Sequence, residues 1–187
     1  ASRWQHVDGF IFIDDLVAER FQQTIGIRSH QSSIVLSNPV QGPNSPPHNL
    51  DRLPDQLLAA LSSAKVRLAM TGRITNDKGF LRVSKIFLAS TKRDAVLMIL
   101  GKHSGNILRW KSLKDKRKLH NLARDSNGAL VYFGEVGCLG ERGFYRNIDV
   151  LVRGESRPGA GRNVYEALAS GARVILPGAE NNYAGDA

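Results

Sequence analysis

The sequence holds one cysteine, Cys138, so an internal disulfide and a cysteine cluster for zinc are both excluded, and a reducing compartment suits the chain. Its five histidines, His6, His30, His48, His103 and His120, are scattered without the pair spacing of metal ligands. No uninterrupted apolar run approaches the roughly 20 residues of a membrane-spanning helix. Acidic residues are the scarcer sign. The 17 Asp and Glu stand against 26 Lys and Arg, a formal net charge of +9 that calls for an anionic partner. Aromatic residues make up 7%, and Trp110 alone interleaves with the basic run, which argues against a base-stacking platform for nucleic acid.

What is present reads as a globular chain. At 187 residues, 42% hydrophobic and 23% charged, it fits one ordinary domain, or one domain and a piece of another. The start Ala1-Ser2-Arg3-Trp4 lacks Met and becomes strand-like almost at once, as expected of an excised segment and not of a signal peptide. Much of the positive excess sits in Arg109, Lys111, Lys114, Lys116, Arg117, Lys118 and Arg124. These residues read as the solvated face of a helix, with peripheral docking on an acidic membrane surface as the alternative.

The apolar run Val7–Ile13 predicts a strand, Asp14 or Asp15 caps a helix from Leu16 to about Ile25, and Gly26 stops it. A second short strand falls at Ile34–Leu36. Five of the seven prolines lie between Pro39 and Pro54 among polar residues, which marks a linker and a domain boundary. After a short helix at Asp55–Ser63, strands are predicted at Val66–Met70, Ala95–Leu100, Ala129–Phe133, Asp149–Val152 and Arg173–Leu176. Between them fall helices at about Gly79–Ala89 and Leu108–Arg124 and from Gly161 onward, with a turn or short helix at Gly143–Asn147. This alternation predicts an α/β fold: a Rossmann-like parallel sheet with helices on both faces and right-handed crossovers.

Two segments have the composition of an anion site. In Gly161-Arg162-Asn163-Val164-Tyr165-Glu166, glycine leads a helix whose first backbone N–H groups and positive dipole end suit a phosphate. Glu166 stands one turn inside, within reach of hydroxyls attached to that phosphate. In Thr71-Gly72-Arg73-Ile74-Thr75-Asn76-Asp77-Lys78-Gly79, two cations and two glycines occupy the carboxyl end of a strand, where Arg73 as a fork and Lys78 as a point charge can clamp a diphosphate. An exposed turn is the plainer reading of that segment alone. Neither segment has the spacing of the nucleoside-triphosphate P-loop or of the dinucleotide glycine fingerprint. Gly134-Glu135-Val136 follows a strand and offers backbone groups to a flat base. Cys138, beside Gly137, reads as a packing residue.

Together these motifs resemble the nucleotide-binding half of a GT-B glycosyltransferase, of the large retaining family called glycosyl transferases group one. The resemblance is carried by Gly72-Arg73 with Lys78-Gly79, by Tyr132-Phe133-Gly134-Glu135-Val136, and by Glu166-Ala167-Leu168-Ala169-Ser170-Gly171-Ala172-Arg173-Val174-Ile175. Upstream, Ile11-Phe12-Ile13-Asp14 through Val40 resembles the end of that family's acceptor domain. It implies a remnant of the acceptor domain over 1–40, a linker and short helix over 41–64, and a donor-binding domain, incomplete at its end, over 65–187.

The resemblance implies that Arg73 and Lys78 hold the donor diphosphate and that the N–H groups of Arg162 and Asn163 take its distal phosphate. It gives Glu166 the ribose hydroxyls and Gly134 and Val136 the base. One position departs from the pattern: Pro158 stands where the family has its first Glu, so the donor-sugar contact is missing or is supplied from a shifted loop by Glu155, with Gly159 the other donor-sugar candidate. The implied activity is metal-independent transfer, with retention, of a sugar from a UDP- or GDP-sugar to a glycan or lipid-linked acceptor. No cofactor and no nucleic acid are implied, and the setting is cytoplasmic or peripheral at the inner membrane face. Pro158 also leaves open a nucleotide-binding module without catalysis.

Overall fold

The computed structural model describes residues 6–12, 15–36, 53–90, 94–102, 109–136, 139, 143–155 and 161–177. The chain divides into two compact units, Ala1–Pro39 and Val40–Ala187. In the first, strand β1 (Gly9–Phe12), helix α1 (Asp15–Thr24) and strand β2 (Ser32–Val35) form a βαβ unit with parallel strands in the register Gly9 to Ser32 through Phe12 to Val35. Phe21 of α1 packs on Phe10 and Phe12 of β1, with ring centroids 4.6 and 5.3 Å apart. Asp15 opens α1, while Asp14 lies outside the described residues, as does most of the proline-rich stretch.

The second unit begins with helix α2 (Asp55–Ser63) and continues β3 (Val66–Thr71), α3 (Phe80–Ser90), β4 (Ala95–Leu100), α4 (Arg109–Asp125), β5 (Leu130–Gly134), β6 (Val150–Val152), α5 (Arg162–Ala169) and β7 (Arg173–Ile175). Single 3-10 turns at Asn76–Lys78 and Phe144–Asn147 precede α3 and β6. All five strands pair in parallel, in the order β5-β4-β3-β6-β7. The Rossmann-like sheet expected from the sequence is therefore present, and its boundaries fall within two residues of the predicted ones.

Both faces of the sheet are covered, and β4 shows why its sequence is apolar throughout. Val96, Met98 and Leu100 join one core with Leu57 and Leu61 of α2, Phe144, and Val164 and Ala167 of α5. Leu97 and Ile99 alternate to the other face, where Phe80 of α3 and Leu119 of α4 cover them. Each such fully buried aliphatic side chain stabilises the fold by about 1.5–3 kcal/mol. On α4 the apolar stripe is narrow, and Lys114, Lys116, Arg117, Lys118 and Arg124 are exposed, which fits a solvated face.

The junction of β3 with β6 is held at its amino end by one carboxylate. Asp149 accepts from the Arg67 backbone N–H at 2.7 Å, from its Nε at 3.0 Å and from a terminal guanidinium nitrogen at 2.9 Å. The Arg67 hydrogen bond, partly opposed by desolvation, holds the Asp149 carboxyl below its ordinary range. A carboxylate with a depressed folded pKa contributes stability above its unfolded pKa and loses it as pH falls through the folded value. Both side chains are about a third exposed, so the effect is modest. Replacing Asp149 by Asn is expected to cost about 1 kcal/mol at pH 7 by urea denaturation. The gap from wild type should close below about pH 4 as the wild-type carboxylate protonates; a gap that persists at pH 2 would contradict it.

Candidate functional site

The strand order reverses at β3. The chain leaves β3 for β4 on one side and later returns to β6 on the other, so the two connections diverge at the carboxyl ends of β3 and β6. In open parallel sheets that divergence leaves a crevice, and ligands occupy it. Here the crevice is a cleft of about 140 Å³ whose lining includes Thr71, Gly72, Arg73, Lys78, Arg153, Glu155, Gly161 and Asn163. The two anion-type segments singled out in the sequence, 90 residues apart, thus meet at one place.

Asn163 makes the join. Its side-chain amide donates to the Thr71 carbonyl at 3.1 Å and to Thr71 Oγ1 at 3.0 Å, pinning the first turn of α5 to the end of β3. A Cβ on Gly161 would stand 2.8 Å from Asn163 Oδ1, so the glycine leaves the amide room to sit there. Among the described residues no side chain caps the N-terminus of α5. The N–H groups of Arg162 and Asn163 begin the helix at its positive dipole end, beside the cleft.

Glu166 is nearly buried, with 13% of its side chain exposed, and accepts from Arg162 Nε at 2.7 Å. Its field reaches Tyr145, whose hydroxyl lies 3.2 Å from Thr71 Oγ1. Burial above all, and to a smaller extent the Glu166 charge, push the Tyr145 phenol up to about 12, against the Thr71 hydrogen bond. Tyr145 therefore stays a neutral hydroxyl beside Thr71. It stands on the 3-10 turn Phe144–Asn147, fixed by the fully buried Phe144.

The opposite lip carries an ionic triad. Glu155, 5% exposed, pairs through one carboxylate oxygen with Lys78 and through the other with Arg153. Lys78 is a third exposed and Arg153 about a tenth. Desolvation lowers the Arg153 guanidinium from its ordinary value, yet arginine titrates so far above neutrality that the charge remains. The two loops are also packed backbone to backbone: a Cβ on Gly154 would lie 2.8 Å from the Lys78 carbonyl oxygen, and Arg82 donates to the Gly154 carbonyl at 2.5 Å.

Of the residues expected from the sequence, Arg73, Lys78, Glu155 and Asn163 share the cleft, and Arg162 and Glu166 lie beside it on α5. Arg73 is exposed. Lys78 is not a solitary cation, being paired with Glu155, and the Glu155 carboxylate expected to meet a sugar is already held by two cations. Gly134 and Val136 are not part of the cleft lining. They lie two strands along the same carboxyl edge, reached by Gly72 N–H donating to Leu100 O at 3.0 Å and Gly101 N–H to Gly134 O at 2.5 Å. Val136 packs partly against the core. Pro158, Gly159 and Cys138 lie outside the described residues. Thr71, Tyr145 and Arg153 were not singled out by sequence reasoning. Among the described residues no group of three or more His, Cys, Asp or Glu is placed to hold a metal ion, and no helix is long and apolar enough to cross a membrane.

The Asn163 join gives an expectation for stability. Asn163→Ala should destabilise the fold by about 1–2 kcal/mol, because two hydrogen bonds go and Thr71 O loses its amide donor. Asn163→Asp should do no better, since an ionised carboxylate has no N–H to donate. Urea denaturation measures both, and a fully stable Asp variant would show that the amide is not the tie.

No family model and no curated protein sequence matches the chain. Solved structures do. HepE (Alr3699) of Anabaena, determined with UDP and glucose, matches at a TM-score of 0.63 and 14% identity, over 89% of this chain and 43% of HepE. WaaG, a glycosyltransferase involved in lipopolysaccharide biosynthesis, matches at 0.57 and 17% identity, over 88% of this chain and 42% of WaaG. The C-terminal domain of LpcC, a glycosyl transferase group 1 family protein from Francisella tularensis, matches at 0.52 and 20% identity, over 68% of this chain and 66% of that domain. The chain thus spans less than half the length of HepE and of WaaG. Identity at this level speaks to architecture alone, and the architecture of this chain is that of one half of a GT-B fold.

Proposed function

We propose that this chain binds the nucleoside diphosphate part of a nucleotide-activated sugar and serves sugar transfer to a glycan or lipid-linked acceptor. The observation that carries the reading is the meeting of two independent anion-type elements, the loop Gly72–Lys78 and the uncapped start of α5, at the divergence of β3 and β6. The cleft is small, which suits a diphosphate better than a whole nucleotide. The carboxyl edge running past Gly101 to Gly134 and Val136 gives the remainder of a UDP- or GDP-type ligand a surface to lie along. HepE, with the same fold, was solved with UDP and glucose.

In this reading Arg73, Lys78 and the α5 dipole stabilise the charge that develops on the leaving diphosphate, a task a divalent cation performs elsewhere. Transfer is with retention by the resemblance of the motifs. A nucleotide-binding module without transfer is the second reading, favoured by Pro158 and by the Glu155 carboxylate being engaged with two cations. A preference for one sugar among nucleotide sugars of the same base would speak against it.

Glu166 provides the sharpest test. A carboxylate beside a phosphate site repels the anion; Arg162 offsets that charge, and the two hydroxyls of a ribose would bridge the carboxylate and the phosphate. Glu166→Ala is expected to weaken a ribonucleoside diphosphate by about 1.5–3 kcal/mol, the scale of hydrogen bonds to a charged group, and Glu166→Gln by less. The 2′-deoxy ligand should bind wild type weakly and ignore the substitution. Pyrophosphate should bind as well or better, because the change also releases Arg162 from its partner. Equal losses for the ribo and deoxy ligands in calorimetry would remove Glu166 from ribose recognition.

A further inference from the structure

The cleft contains its own anion. Glu155 is buried, bridges Lys78 and Arg153, and belongs to the cleft lining, as do both cations. Lys78 and Glu155 come from different connections, one following β3 and the other β6, so the bridge spans the two lips. Backbone packing of Gly154 on Lys78 and the Arg82 hydrogen bond already hold those lips together. The carboxylate is therefore not needed to close them. What it does change is charge: the carboxylate lowers the positive surplus of the cleft lining by one. Arg73 is a further cation of that lining, while Arg162 beside it is paired with Glu166.

We propose that Glu155 is a specificity-determining residue that tunes the charge of the ligand this cleft prefers, by lowering its positive surplus by one. This rests on the proposed nucleotide-sugar reading and deepens it. A diphosphate esterified at both ends carries two negative charges at neutral pH. A diphosphate with a free end titrates again near pH 6 and carries roughly one more. The resident carboxylate thus shifts the preference of the cleft toward the capped diphosphate of a nucleotide sugar and weakens its hold on the nucleoside diphosphate left after transfer. Removing the carboxylate raises the surplus by one and favours the more highly charged anion.

Calorimetric titration of the whole chain with inorganic pyrophosphate, inorganic phosphate, UDP and UDP-glucose tests this. For Glu155→Gln, the preference for pyrophosphate over phosphate, and for UDP over UDP-glucose, is expected to rise about tenfold. If loss of the Glu155 charge beside the buried Arg153 prevents that variant from folding, Arg153→Met with Glu155→Met provides the comparison, since it removes both members of the buried pair and keeps the wild-type surplus. Its preference for pyrophosphate over phosphate should stay within about threefold of wild type. A folded Glu155→Gln with unchanged preference, or a double variant that loses the preference, overturns the inference, the latter by showing that Glu155 places Lys78. Failure of pyrophosphate to bind any of the proteins overturns it as well. The predicted order with the inorganic anions, without binding of UDP or UDP-glucose, would overturn the nucleotide-sugar reading and leave the charge rule standing.

Discussion

The site depends on the reversal of strand order at β3. A parallel sheet needs a crossover between successive strands, and each crossover must pack on one face or the other. Because β4 lies on one side of β3 and β6 on the other, α3 and α5 cover opposite faces and their connections part at the carboxyl edge. Past Ala69 and Leu151 the two strands no longer pair with each other, and their ends pair outward instead, Gly72 N–H with Leu100 O and Arg153 N–H with Ile175 O. Side chains occupy the gap between them, the Asn163 amide on Thr71 and the Glu155 carboxylate between Lys78 and Arg153. An opening at this place is thus a consequence of topology. Its polarity and charge are matters of sequence.

The electrostatics of the two lips differ in kind. On the α5 side a helix dipole and oriented amides supply fixed partial charge, which is already in place and needs no reorganisation when a ligand arrives. On the β6 side full charges are buried, a costly arrangement unless each has a partner. Glu155 meets that condition for Arg153, the more deeply buried cation, and also pairs with Lys78, which is more exposed. Tyr145 adds a third element. Its neutral hydroxyl next to Thr71 steadies the residue on which the Asn163 tie depends, and it does so without adding charge.

The fold was largely readable from the sequence because the elements announce themselves. The run Ala95–Leu100 is apolar at every position since both its faces are covered, and the alternation of short apolar runs with helical segments leaves little choice but a parallel sheet. Arg73, Lys78, Asn163 and Glu166 were legible through local chemistry, glycine beside cation at a strand end and at a helix start. What stayed hidden was pairing across long separations. Nothing near Arg153 in the sequence indicates that Glu155 also takes Lys78, 77 residues away, or that Tyr145 would reach Thr71 across 74. Lys78 looked like a free point charge for that reason. Tyr145 was overlooked because a turn of Phe-Tyr-Arg-Asn before a strand carries no periodicity, and only the burial of Phe144 fixes its direction.

The central claim is that the cleft between the ends of β3 and β6 takes a diphosphate. Backbone amide chemical shifts of isotope-labelled chain, followed through a titration with UDP, test it most directly. The account predicts the largest changes at Gly72, Arg73, Arg162 and Asn163, with smaller ones extending to Gly134 and Val136. Changes confined to the basic helix α4 or to β1 and β2, with the amides of Gly72 and Asn163 unmoved at saturation, would contradict it.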